Sequence, residues 1–115
     1  MKSKLLIAIF TLLLSGCAVI FPIPHDGALF NNLVETKIAV DKLNCNDKSW
    51  INAQLNIERL KVYTALRKDP QADAVVKLQE AINKAKESDS KVFCESILKI
   101  QRVRIDVITD AWRGR

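Results

Sequence analysis

The sequence is poor in the residues that most enzyme sites require. It has one histidine and only three glycines in 115 residues. No serine, histidine and acid set that could form a triad is apparent, His25 has no second ligand nearby at metal spacing, and three scattered glycines do not form a phosphate-binding loop. We therefore predict a non-enzymatic protein with no catalytic residue, no metal site and no cofactor, and we expect His25 on the surface.

Strand patterns and strong charge are scarce as well. From Gly27 onward no apolar–polar alternation indicates a β-strand, and hydrophobic residues recur instead at helical spacing. The formal net charge is +5 and falls to +3 if Lys2 and Lys4 are removed. This excess is too small to indicate nucleic-acid binding, although it is compatible with a position near anionic lipid headgroups.

The N-terminal segment has the order of an export signal. Lys2 and Lys4 precede an almost wholly apolar run over residues 5–14. This run approaches the length of a membrane-spanning helix, about 20 residues, only if the small residues up to Cys17 and the apolar residues beyond it are counted. We therefore predict a cleaved signal peptide over residues 1–16, with an uncleaved membrane anchor as the alternative.

The sequence Leu14-Ser15-Gly16-Cys17 resembles the lipobox of bacterial lipoproteins. In that family, signal peptidase recognises the residues before the cysteine and cuts there, and the cysteine then carries acyl chains. The resemblance implies lipidation of Cys17, and two or more acyl chains give the stable membrane attachment that one chain does not. Residue 18, the position that decides sorting in enteric bacterial lipoproteins, is Ala rather than the Asp that would prevent delivery to the outer membrane. It therefore implies an outer-membrane location facing the periplasm, with surface exposure left open.

Residues 17–27 are predicted to be a lipidated, stiff and apolar tether. Pro22 and Pro24 favour extended backbone. Hydrophobic side chains alternate with and precede these prolines: Val19, Ile20, Phe21 and Ile23. We expect these side chains to lie in the lipid interface or against the following domain, and a docking strand for a protein partner is the alternative.

The remainder, residues 28–115, is predicted to be one all-α domain, a small up-down bundle of about four helices. The helices are expected over about residues 28–43, 48–68, 71–86 and 91–112. The second helix ends at Asp69-Pro70, because the residue before a proline disfavours helical backbone. The first two helices each carry two apolar stripes, and we expect a helix with two apolar faces to contact two neighbours.

Cys45 and Cys94 remain as an even pair once Cys17 is assigned to lipid. In an up-down bundle, the end of the first helix and the start of the fourth lie at the same end, which places these two cysteines together. An exported protein favours a disulfide between them, and closing this loop contributes about 4 kcal/mol in the chain-entropy model. Free thiols or a redox pair are the alternatives.

Two polar residues, Gln101 and Arg104, fall within the apolar arc of the fourth helix. An unpaired arginine in a core is costly. Counted from the two cysteines at a rise of about 1.5 Å per residue, Glu58 of the second helix lies at nearly the same depth as Arg104. We predict that Glu58 and Arg104 form a buried ion pair, with Gln101 nearby. The alternatives are an Arg104 that extends to the surface and an open groove around it that receives a partner helix.

The order of lipobox, helix ending in a cysteine, two helices, and cysteine opening the last helix resembles the helical pilotins of type II secretion systems. Pilotins carry a secretin subunit to the outer membrane by holding its C-terminal helix in a groove. The resemblance implies a lipid-anchored binding or adaptor protein with a protein partner in the envelope. The alternative is an exclusion or immunity lipoprotein. A purely structural envelope lipoprotein is disfavoured because the long heptads of a coiled coil are absent.

The lipid anchor is tested by replacing Cys17 with Ser. Without the acylated cysteine, the Cys17→Ser protein should appear in the soluble fraction as a folded, disulfide-bonded domain, which fractionation and non-reducing electrophoresis will measure. A variant that stays bound to membranes would contradict the lipobox interpretation and favour the uncleaved anchor.

Overall fold

The computed structural model describes residues 26–113, and four helices account for most of them. They are α1 (Gly27–Asp41), α2 (Ile51–Leu66), α3 (Ala72–Glu87) and α4 (Lys91–Arg113). Each predicted helix is present, with its ends close to the predicted ones, and the described part of the chain contains no strand. The all-α prediction is confirmed.

The helices occupy the four corners of an up-down bundle, in which each contacts two neighbours. α1 packs beside α2 and α4, and α3 also packs beside α2 and α4. The backbones on the two diagonals, α1 with α3 and α2 with α4, do not come into contact. This is the arrangement expected when short connections join successive antiparallel helices.

The core is built from one apolar stripe of each helix. Its main members are Leu29, Leu33 and Val40 of α1; Ala53, Ile57 and Leu60 of α2; Val75, Leu78 and Ile82 of α3; and Leu98, Ile105 and Ile108 of α4. These residues recur three, four or seven positions apart, so each set lies on one side of its helix. Burying one large aliphatic side chain contributes roughly 1.5–3 kcal/mol, so this layer is the main source of stability.

The disulfide predicted between Cys45 and Cys94 is present, at the end of the bundle where α1 ends and α4 begins. The loop that carries Cys45 is held in place by its own polar groups. Asn44 Oδ1 accepts a hydrogen bond from the backbone N–H of Asp47 at 2.8 Å. The buried indole of Trp50 donates from Nε1 to the carbonyl oxygen of Asn44 at 3.0 Å. The cross-link therefore joins two segments that are already ordered.

The opposite end of the bundle is closed by Asp69 and Trp112. α2 ends before Asp69-Pro70 as predicted, and Lys68 adopts φ 53°, the left-handed conformation common after helix ends. The Asp69 carboxylate accepts hydrogen bonds from the backbone N–H of Gln71 at 2.8 Å and from the Trp112 indole at 3.1 Å. One buried carboxylate thus fixes the start of α3 and the last turn of α4.

Removing the disulfide tests how much the cross-link stabilises the domain. The double variant Cys45→Ser, Cys94→Ser should lose about 4 kcal/mol of unfolding free energy, because a cross-link spanning 49 positions no longer restricts the unfolded chain. Urea denaturation of both proteins measures the difference. A loss below about 1 kcal/mol would mean that the helices pack without help from the bond.

Candidate interaction surfaces

The predicted ion pair between Glu58 and Arg104 is wrong. Glu58 lies on the exposed side of α2, where its carboxylate accepts a hydrogen bond from Nε2 of Gln79. Arg104 is half-buried and donates from Nη1 to Oε1 of the buried Gln101 at 2.9 Å, so the expected proximity of Gln101 is found. The pair does not form because α2 and α4 occupy opposite corners of the bundle. Equal depth along the bundle does not bring two side chains together across its diagonal.

α1 and α2 each contact two neighbours, as predicted, but the second apolar stripe of each helix is not buried in these contacts. On α1, Phe30 is partly buried, whereas Val34 and Ile38 are exposed. On α2 the second stripe is exposed along its whole length; we call it the α2 face, and its members are Ile51, Leu55, Val62 and Leu66. Their exposed fractions are 47–81 %. Each helix does touch two neighbours, but it does so through the two edges of a single buried stripe.

A second exposed apolar stripe lies on α4. We call it the α4 face, and its members are Phe93, Ile100, Val103 and Val107, which are 51–60 % exposed. They are seven, three and four positions apart, so they share one side of the helix. The opposite side of α4 is already buried in the core. Exposed apolar stripes of this kind mark surfaces where another molecule binds, because removing apolar surface from water lowers the free energy.

Cations without ionic partners border the α4 face. Arg104 lies beside it on α4 and forms no ion pair with any described residue. Lys77 and Lys84 are exposed on the side of α3 turned away from α2, and they too form no ion pair within residues 26–113. Asp73 and Glu80 precede these lysines by four positions, yet neither carboxylate lies within 4.0 Å of them.

The other edge of the α4 face is neutralised from within the chain. Asp106 pairs with Lys37 of α1 at 2.6 Å, and Asp110 pairs with Arg113 at 3.1 Å. Glu95 lies 3.9 Å from Lys91. The carboxylates along this edge are therefore already matched, whereas the cations along the α3 edge are available to an acidic partner.

The point where the N-terminal segment enters the bundle is fixed by Asp26. Its Oδ1 accepts hydrogen bonds from the backbone N–H groups of Ala28 at 3.0 Å and Leu29 at 3.2 Å, which caps α1. Its Oδ2 accepts a hydrogen bond from the Tyr63 hydroxyl at 2.8 Å and pairs with the Arg67 guanidinium. Asp26 therefore holds the start of α1 to the last turn of α2.

These contacts make Asp26 a stronger acid than usual. The Tyr63 hydroxyl and the Leu29 N–H, together with Arg67, hold the pKa of Asp26 below its ordinary value, although partial burial acts in the opposite direction. The hydrogen bond to Asp26 also raises the pKa of the Tyr63 hydroxyl. An aspartate before Gly27 is a recognisable helix cap, but its link to α2 joins residues 37 and 41 positions apart and has no local sequence signal.

The residues predicted for lipidation and signal cleavage lie outside the part of the chain that the structure describes. Cys17 and the recognition residues Leu14, Ser15 and Gly16 lie outside the described residues, as does His25. Between residues 26 and 113, no three His, Cys, Asp or Glu side chains are grouped to hold a metal ion. None of the four helices combines the length and hydrophobicity required to cross a bilayer.

A surface cleft of about 400 Å³ lies between α1 and α2. Its walls include Glu35 and Ile38 of α1 and Asn56 and Arg59 of α2. A second cleft, of about 380 Å³, lies beside the disulfide and is lined by Cys45, Glu95 and Arg102, among others. Neither cleft combines a nucleophile with a base, and we interpret both as depressions in the surface where neighbouring segments meet.

The Asp26 contacts predict a pH-dependent contribution to stability. Because the pKa of Asp26 is lowered in the folded state, its stabilisation is complete above the unfolded value of about 3.9 and is lost as pH falls below it. Asp26→Asn should therefore lower the urea midpoint at pH 7, and its difference from the wild type should shrink as pH falls through about 4. The exposed Glu80→Gln variant is the control, and an Asp26→Asn effect that is no larger than the control's at pH 7 would contradict the assignment.

No protein-family model, curated protein sequence or solved structure matches this chain. What the molecule does is accordingly inferred from its own surfaces: two exposed apolar faces on opposite corners of the bundle, and an N-terminal segment attached at a fixed point.

Proposed function

We propose that this protein is a lipid-anchored adaptor on the periplasmic side of the outer membrane that holds an amphipathic helix of an envelope partner. The observation that carries the proposal is the α4 face, which stays exposed although the core behind it is complete. An apolar stripe along a long helix is the surface onto which a partner helix packs, with anchors recurring every three or four residues.

The charges around the α4 face define the partner's chemistry. Arg104, Lys77 and Lys84 lie along one side of this face without ionic partners among the described residues. A bound helix with Asp or Glu residues beside its apolar stripe would neutralise them. Charge complementarity of this kind selects the partner and its orientation more than it strengthens binding.

The N-terminal residues support the proposed location of the adaptor at the outer membrane. The lipobox-like Leu14-Ser15-Gly16-Cys17 supports acylation at Cys17, and Ala18 supports transfer to the outer membrane. Asp26 attaches the end of the tether to the bundle, so a membrane anchor would lie at the end formed by the start of α1 and the end of α2. The helix order and the disulfide are also those of the helical pilotins that the chain resembles. Those proteins hold a secretin helix, which makes a secretin subunit the first partner to test.

Site-specific photo-cross-linking tests the adaptor function in the intact envelope. A benzophenone amino acid replaces Val103 in the full acylated chain, and the cross-linked segment is identified by mass spectrometry. We expect one envelope protein to be captured through an amphipathic helix that carries acidic residues. Cross-linking restricted to lipid and abundant porins would contradict the proposal.

Charge variants show whether the cationic border contributes. Lys77→Gln together with Lys84→Gln should reduce the Val103 cross-link severalfold with little change in thermal stability, because both lysines are exposed and make no ion pair with a described residue, and glutamine adds no negative charge beside Asp73 and Glu80. Lys42→Gln is the matched control, since Lys42 lines the cleft between α1 and α2. Equal loss in the control would show that only the net charge of the protein matters.

A further inference from the structure

The α4 face borders the groove between α3 and α4. Ile100 and Val107 lie four positions before and three positions after Arg104, so the three residues share one side of α4. The opposite side of the helix carries Arg102, which donates from Nη2 to the carbonyl oxygen of Leu43 at the end of α1. Among the described helices, α4 contacts only α1 and α3. The side that bears Arg104 therefore faces α3.

The α3 side of this groove is lined by small side chains and bordered by cations. Ala74 and Ala81 are partly buried. Asn83, two positions after Ala81 and so on nearly the opposite side of the helix, accepts a hydrogen bond from α2 at 3.2 Å. The two alanines therefore line the edge turned toward α4, where they leave room for another helix to approach. Lys77 and Lys84 each follow an alanine by three positions and stand exposed along this edge.

Both helices present residues to the groove at intervals of seven. This spacing relates Phe93, Ile100 and Val107 on α4, and on α3 it relates Ala74 to Ala81 and Lys77 to Lys84. Seven residues is the repeat at which helices stay in register when they pack along one another. A helix laid in this groove would therefore meet the same pattern of contacts every two turns.

Building on the adaptor function, on which this inference rests, we propose that the partner helix lies in the groove between α3 and α4 and presents two carboxylates about seven residues apart to the α3 edge. Its apolar stripe covers the α4 face. One carboxylate meets Lys84, and the other meets Lys77 and Arg104 together.

The cations occupy two positions along the groove. Residues 88–90 join α3 to α4, and the two helices run antiparallel, so residues equally distant from this turn lie side by side. Counted in this way, Arg104 lies beside Ala74, within one turn of Lys77. Lys84 lies about 10 Å from Lys77 along the axis, which is also the separation of two residues seven apart on a partner helix.

Arg104 provides the more specific of these contacts. Its Nη1 donates to Oε1 of Gln101, which is only 3 % exposed, and the guanidinium forms no ion pair with a described residue. A guanidinium carries five N–H groups in a planar fork that matches the two oxygens of a carboxylate. Because Arg104 is half-buried, a pair formed there is screened by salt less than a pair at an exposed lysine.

The α1 edge of α4 does not offer an equivalent row of positive charge. Glu95, Lys99, Asp106 and Asp110 lie along it and carry both signs. Asp106 is already paired with Lys37 of α1 at 2.6 Å. An acidic helix would meet carboxylates on that side, and like charges in contact disfavour binding. The charge pattern therefore selects the α3 side of the α4 face.

Carbodiimide cross-linking of the native lysines tests both the groove and the charge spacing. The Val103 benzophenone complex is formed in envelopes, and a water-soluble carbodiimide then activates carboxylates, so that a contacting lysine amine displaces the activating group and forms an amide. Mass spectrometry should find Lys77 and Lys84 linked to acidic residues of the captured helix that lie about two turns apart. Lys99, on the α1 edge, is the internal control. Links from Lys99 instead, or linked acidic residues one turn apart or less, would overturn the proposal.

Substitution of Arg104 tests its contact with the partner. Arg104→Gln should reduce the Val103 cross-link about fivefold, and Arg104→Lys should reduce it less, because lysine keeps the charge but loses the fork. Lys99→Gln, which removes a cation from the other edge, should leave the cross-link unchanged. Urea midpoints show whether each variant is folded, and Arg104→Lys decides the matter if Arg104→Gln is not. Full cross-linking in the folded Arg104 variants would overturn this contact.

The position of the partner helix and the adaptor function fail separately. If Val103 captures an acidic envelope helix but neither Lys77 nor Lys84 links to it, the adaptor function stands and the α3–α4 groove is overturned as its position. If Val103 captures only lipid and porins, the adaptor function falls and the position in the groove falls with it.

Discussion

Each helix of the bundle contacts only its two neighbours along the perimeter, and this constraint determines which side chains are available for function. One stripe per helix fills the shared core, and no other segment between residues 26 and 113 lies outside the corners to cover a second stripe. The additional apolar residues of α2 and α4 therefore point away from the core. Because these helices stand on opposite corners, the two faces are separated by the full width of the bundle, and one molecule can occupy each of them at once.

The two ends of the bundle hold these faces in fixed positions. At one end the disulfide joins Cys45 to the first turn of α4, and Trp50 closes the adjoining loop. At the other end Asp69 bonds to the indole of Trp112, and Asp26 ties the start of α1 to α2. Rigid elements present a binding surface at low entropic cost, because few side chains or loops must be ordered when a partner docks.

Much of this architecture could be predicted because its signals are local. Helical spacing, the stop at Asp69-Pro70 and the polar turn around Asn44 each lie within a few residues of the structure they determine. The disulfide was predicted from helix order together with the assignment of Cys17 to lipid and an exported location, since an up-down chain brings the end of the first helix and the start of the fourth to the same end. The Glu58–Arg104 prediction failed because depth along the bundle was known but the corner occupied by each helix was not.

The sequence by itself thus determined the number of helices, their limits, their alternating direction and the pairing of Cys45 with Cys94. Only the tertiary structure decided which of two apolar stripes on a helix is buried, that Asp26 bonds to Tyr63 and Arg67, and that Glu58 and Arg104 stand on opposite corners of the bundle. The physical reason is that periodicity fixes where a side chain lies around its own helix. Which neighbour it then meets depends on how all four helices share one core, and no single stretch of sequence encodes that.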